Sequence, residues 1–136
     1  MAQTVTANHV GVSVKDIGLM KNWYATAFGF EEAFAFKLPD GRGIMLRSES
    51  GGAQIELFEV EGSTSGPVQG TEPPGAPQRH GYFHVALEFD DLDAAYAAAV
   101  EAGGQGVWDP RDFGVPGRRG SFVFDPEGNL VELVGV

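Results

Sequence analysis

His9 and His84 each open an alternating apolar run, and Glu56 and Glu132 each interrupt one. Glu56 follows His9 by 47 residues, and Glu132 follows His84 by 48. A carboxylate inside Leu130-Val131-Glu132-Leu133-Val134 is costly to bury unless it is paired, protonated or bound to a metal. Imidazole nitrogen and carboxylate oxygen together suit a borderline divalent ion such as Zn²⁺, Ni²⁺, Mn²⁺ or Fe²⁺. Taken singly, a strand His is more often a satisfied, partly buried side chain, and a strand Glu more often faces solvent. The recurrence of all four at equivalent places points instead to one metal-binding cleft. A carboxylate at such a place can also act as a general base, and Glu132 and Glu56 are both candidates for that catalytic role.

The elements that must position these groups follow from patterning. Val10, Val12 and Val14 alternate with His9, Gly11 and Ser13, the period of a strand. Asp16 is placed to cap a helix running to about Phe28, with Ile17, Met20, Tyr24 and Ala27 on one side and Gly29 as its stop. Glu32 to Leu38, Ile44 to Ser48 and Gln54 to Val60 then read as three strands, separated by the turn Pro39 to Gly43 and the break Gly51-Gly52. Glu61 to Gly81 is rich in Pro, Gly and Ser and has no periodicity.

After it the pattern restarts. Phe83 to Phe89 alternates, Asp91 caps a helix over Leu92 to Ala102, and Gly106 to Trp108 forms a strand. Asp125-Pro126-Glu127-Gly128-Asn129 joins Phe122–Phe124 to Leu130–Val134 as a hairpin. The expectation is a single α+β domain over 1–136, built from two tandem βαβββ modules that form a curled mixed sheet around a metal-binding cleft. The modules span about 5–60 and 82–136, and 61–81 is a linker or a lid. In each strand the neighbours of His and Glu point to the opposite face, where the helices pack. The His and Glu side chains therefore look into the concavity.

Composition sets outer bounds. The 136 residues carry 9 basic and 19 acidic side chains, a formal charge of −10, which gives no electrostatic case for nucleic acid or an anionic membrane. Cysteine is absent, which excludes thiolate chemistry. Met1 to Asn8 has neither the basic nor the apolar region of a signal peptide, and no apolar run reaches the ~20 residues of a bilayer span. A cytoplasmic protein acting on a small molecule is the expectation.

The segments Asn8 to Val12, Trp23 to Phe30, Phe83 to Leu87 and Phe122 to Leu133 resemble the vicinal oxygen chelate superfamily, which includes glyoxalase I, bleomycin-resistance proteins and extradiol dioxygenases. The resemblance implies a divalent metal held by His9, Glu56, His84 and Glu132, a substrate with adjacent oxygens, and a homodimer. Glyoxalase I is similar in having His, Glu, His, Glu, so a lyase or isomerase of that type is the leading expectation. The alternatives are a small-molecule-binding resistance protein, an epimerase of the superfamily, or an extradiol dioxygenase. Arg118 and Arg119, before the last hairpin, are candidates to hold an anionic end of the substrate. Trp108 and Phe113 are candidates to line the cleft. His80, four residues from His84 on an extended stretch, reads as a loop residue.

Overall fold

The computed structural model describes residues 3–136. Met1 and Ala2, where the stretch read for targeting signals begins, lie outside the described residues. In the first half, strand β1 (Val10–Ser13) leads into helix α1 (Ile17–Phe28) and strands β2 (Glu31–Leu38), β3 (Gly41–Arg47) and β4 (Gln54–Val60). The second half repeats the order with β5 (Val85–Phe89), α2 (Leu92–Glu101), β6 (Gln105–Asp112), β7 (Arg119–Phe124) and β8 (Leu130–Gly135). The strands form two four-stranded mixed sheets, ordered β1-β4-β3-β2 and β5-β8-β7-β6. In both, the first strand runs parallel to the last.

Local chemistry explains the helix ends. Asp16 accepts the Leu19 N–H at 3.0 Å, and Asp91 accepts the Ala94 N–H at 3.0 Å. Gly29 closes α1 at φ 73°, a conformation that costs glycine nothing. One apolar core then serves both halves: Met20, Trp23, Leu46, Ile55 and Leu57 pack together with Leu92, Ala99, Val123, Val131 and Leu133. Trp23 Nε1 donates to the Ala99 carbonyl at 3.0 Å and ties α1 to α2. Glu127 reaches from the last hairpin to the start of α1, accepting the Lys15 and Asp16 N–H groups at 2.7 and 2.8 Å. Glu59 accepts the Ile17 N–H at 2.8 Å, so carboxylates collect at the positive end of that helix.

Several features differ from the sequence expectation, among them β7, which begins at Arg119 rather than Phe122. β3 begins at Gly41, because Pro39-Asp40 alone suffices to reverse the chain. β6 runs to Asp112 rather than stopping at Trp108; two register shifts and its place at the sheet edge accommodate Pro110. Residues 61–81 are docked. Ala76, in the 3₁₀ turn Ala76–Gln78, is fully buried against Phe122, Phe124 and Leu130. The Gly70 N–H donates to the Gly128 carbonyl at 2.8 Å, and Gln69 Nε2 donates to the Glu127 carbonyl at 3.1 Å. No helix among the described residues is long and apolar enough to cross a membrane.

Candidate functional site

Register decides which side chains share a face. β4 pairs Glu56 with Gly11 of β1 and with Met45 of β3, and Ile55 and Leu57 on either side of Glu56 are fully buried under α1. Glu56 therefore stands on the face away from the helix. His9 lies one step before β1, and its Nε2 is 3.4 Å from Glu56 Oε1. The second sheet repeats this arrangement. β8 sets Glu132 beside Ala86 and Phe122, between buried Val131 and Leu133, and His84 Nε2 is 2.9 Å from Glu132 Oε2.

Each His–Glu pair has the spacing that two neighbouring ligands of one ion would have. Donors about 2.1 Å from a metal lie roughly 3.0 Å apart at octahedral corners and roughly 3.4 Å apart at tetrahedral ones. His9 carries a further sign. Its Nδ1 is 2.7 Å from Asn8 Oδ1. Its Nε2 faces the Glu56 carboxylate across that 3.4 Å gap. A His whose other nitrogen is held by an outer acceptor is the usual arrangement of a metal ligand.

The four groups do not meet within one chain. Among the described residues, no three His, Cys, Asp or Glu side chains come together as a metal cluster. His9 with Glu56 and His84 with Glu132 are two separate His–Glu pairs on two sheets.

The remaining candidates divide by face. Trp108 and Phe113 stand beside the second pair: Phe122 lies 5.7 Å from the His84 ring, 5.3 Å from Trp108 and 6.3 Å from Phe113 between centroids. Arg118 reaches Glu88 at 3.5 Å. Arg119 turns to α2 and makes two bonds to Asp93, at 2.9 and 3.1 Å, which hold the Asp93 carboxyl below its ordinary range. That engagement takes Arg119 away from the pair. His80 is exposed on the segment before β5.

Sequence reasoning missed the aromatic side chains of the first face. Phe34 and Phe36 alternate along β2, and Phe58 stands two residues from Glu56. Period-2 counting outward from Glu56 would have found Phe58. It also missed Asp125, buried in the last hairpin, where it accepts the Glu127 and Asn129 N–H groups and the Asn129 side-chain amide. Burial pushes its carboxyl up to about 6, against the lowering effect of those bonds. Tyr24, beneath the seam between the modules, is raised well above the usual phenol value by burial and then by the Asp125 charge.

A model of the Glyoxalase/Bleomycin resistance protein/Dioxygenase superfamily matches residues 6–133. The chain belongs to this superfamily. Its structure is similar to a glyoxylase/bleomycin resistance protein/dioxygenase domain from Frankia sp. EAN1pec, at 17% identity over 98% of this chain and 93% of that one, with a TM-score of 0.77. It is also similar to a glyoxalase family protein from Bacillus cereus, at 14% identity over 98% and 95%, with a TM-score of 0.79. A glyoxalase I mutant from Zea mays matches at 20% identity over 93% of this chain and 43% of that one, with a TM-score of 0.74. At these identities the likeness is one of fold. No match was found among curated protein sequences. Members of the superfamily commonly use divalent metals, bind small molecules and form dimers, and some are not enzymes.

Proposed function

We propose that two chains pair so that His9 and Glu56 of one meet the partner's His84 and Glu132 around a divalent ion, in a lyase or isomerase of the glyoxalase I type. The observation that carries this reading is the repeated pairing: His9 Nε2 lies 3.4 Å from Glu56 on one sheet and His84 Nε2 lies 2.9 Å from Glu132 on the other. Two such halves supply two imidazole nitrogens and two carboxylates, a set suited to Zn²⁺, Ni²⁺, Mn²⁺ or Fe²⁺. The chemistry such an ion would supply is polarisation of two adjacent substrate oxygens, which would acidify the proton on the hydroxyl-bearing carbon next to the carbonyl.

The chain's own residues do the rest. Glu132 takes that proton and returns it to the neighbouring carbon, and Glu56 on the opposite half is the second candidate for the same task. His84 and His9 hold the two carboxylates in place. Phe122, directly across from Glu132 on β7, keeps one flank of the carboxylate dry. Metal analysis of protein purified without chelator, followed by a hemithioacetal assay, tests the proposal. Metal-free protein that retains turnover would sink it.

The second reading is a small-molecule-binding protein without turnover, and the half-exposed rings beside each pair favour it. It predicts ligand affinity that chelator leaves unchanged. Oxygen uptake with catechols would move the assignment to a ring-cleaving dioxygenase instead.

A further inference from the structure

Residues 66–79 form a unit that bonds mostly to itself. The Thr71 N–H donates to the Val68 carbonyl at 3.1 Å, the Ala76 N–H to the Glu72 carbonyl at 2.9 Å and the Gln78 N–H to the Gly75 carbonyl at 3.0 Å. Among the described residues, its hydrogen bonds to the rest of the chain all start at Gln69 and Gly70 and end on 127–129 of the last hairpin. Two of its residues are buried, Pro73 and Ala76. Just beyond it Gly81, at φ 119°, takes a backbone conformation open to glycine and leads toward β5. A segment with few buried side chains and one polar attachment opens at less cost than the core.

The attachment has one direction, and backbone groups set it. The Gly66 N–H donates to Gln69 Oε1 at 2.8 Å, and Gln69 Nε2 donates to the Glu127 carbonyl at 3.1 Å. Those two partners fix which end of the Gln69 amide is which. Nε2 gives its second N–H to Asn129 Oδ1 at 3.3 Å, and Asn129 Nδ2 then donates to Asp125 Oδ2 at 2.8 Å. The chain of bonds ends on a carboxyl that is 2% exposed. The unit lies over the face that carries Glu132: Ala76 packs on Phe122, Phe124 and Leu130, with Trp108 against the same cluster. Val68 and Gln69 also wall a cavity of about 160 Å³ that Val12, Tyr24 and His84 line from the body of the protein.

We propose that residues 66–79 are a lid over the second His–Glu pair, and that Gln69, through Asn129 and Asp125, is the positioning residue that latches it. Closed, the lid keeps Ala76 on Phe122 and roofs the cavity beside His84. Open, it turns about Gly81, bares Phe122 and Trp108 and admits a small molecule to His84. The admission of a substrate rests on the function proposed above; the lid and its latch do not.

Trypsin reads the latch, because Arg79 is the one Lys or Arg between 61 and 81. Cutting there yields 1–79 and 80–136, at a rate that follows the open population when closing outpaces cleavage. Cutting after Arg42 and Arg47, in strand β3 inside the first sheet, reports unfolding of the whole chain. Gln69→Ala should speed cleavage after Arg79 about tenfold and leave the β3 sites unchanged. It should also shift Trp108 emission to the red, while Trp23, 2% exposed, stays in the core. Asn129→Asp, which sets a second carboxylate against Asp125, should do the same. Exchanging the two, Asp125→Asn together with Asn129→Asp, restores donor and acceptor and should return the parental rate. The proposal is overturned by a parent cut after Arg79 as fast as an unfolded peptide, or by no acceleration in Gln69→Ala. Equal acceleration at Arg79 and the β3 sites, or no rescue by the exchange, overturns it as well. Protein that binds no metal and turns nothing over, yet shows these rates, keeps the lid and removes the metal reading alone.

Discussion

Glu127 Oε1 accepts the backbone N–H of Lys15 at 2.7 Å across 112 residues of chain. Its other oxygen takes the Asp16 N–H at 2.8 Å, so one side chain of the second module caps the first helix of the first. Glu127→Ala should lower unfolding stability by about 1–2 kcal/mol, since both bonds are charge-assisted and sit at a helix N-terminus. Glu127→Gln should recover part of the loss. A urea midpoint unchanged in the alanine variant would show that water replaces the carboxylate at no cost.

Asp125 makes stability respond to pH in an uncommon direction for a carboxyl group. It titrates near 6 in the folded protein and near 3.8 when unperturbed. Between those values the folded protein keeps a proton that the unfolded chain has released. The favourable contribution is complete below about pH 4 and is lost as pH rises through about 6, a swing of ~3 kcal/mol. Asp125→Asn cannot ionise, so its stability relative to the parent should improve by about that amount between pH 4 and pH 7. A constant difference across that range would contradict the assignment.

The two glutamates are not equal in the proposed chemistry. Glu132→Gln should lower kcat by ~10²–10⁴-fold with KM little changed, the loss expected for a missing general base. Glu56→Gln should show mainly in bound metal, measured by elemental analysis of the purified variant. Equal losses of kcat in both would mean that the site uses its two carboxylates symmetrically.

The repeat, the helix caps and the residues of the two His–Glu pairs were legible because each leaves a local mark. Asp16 and Asp91 stand three residues before the N–H they cap, and Glu56 and Glu132 break an apolar alternation. What was not legible depends on residues far apart in sequence. Arg119 looks like a neighbour of Arg118 until α2 brings Asp93 to it. Phe113 looks like a loop residue until Gly120, seven positions on, offers it bare backbone. The strap over 61–81 has no periodicity because Ala76 and Gln69 bind the last hairpin singly, not as a face. The separation of the two His–Glu pairs was likewise beyond the sequence, since patterning fixes which face a side chain takes and not where two sheets lie.

One apolar core, the Trp23–Ala99 bond and the Glu127 cap hold the two modules of a chain together while their His–Glu pairs stay apart. Genetic complementation follows from that. A His9→Ala chain and a Glu132→Gln chain are each inactive alone under the proposed pairing, because every site contains one lesion. Mixed after unfolding and refolding, they form a hybrid in which both lesions fall in one site and the other is whole. Random assortment gives roughly a quarter of parental activity back. Two defective proteins would restore in the tube what neither encodes, whereas a site confined to one chain would stay silent at every mixing ratio.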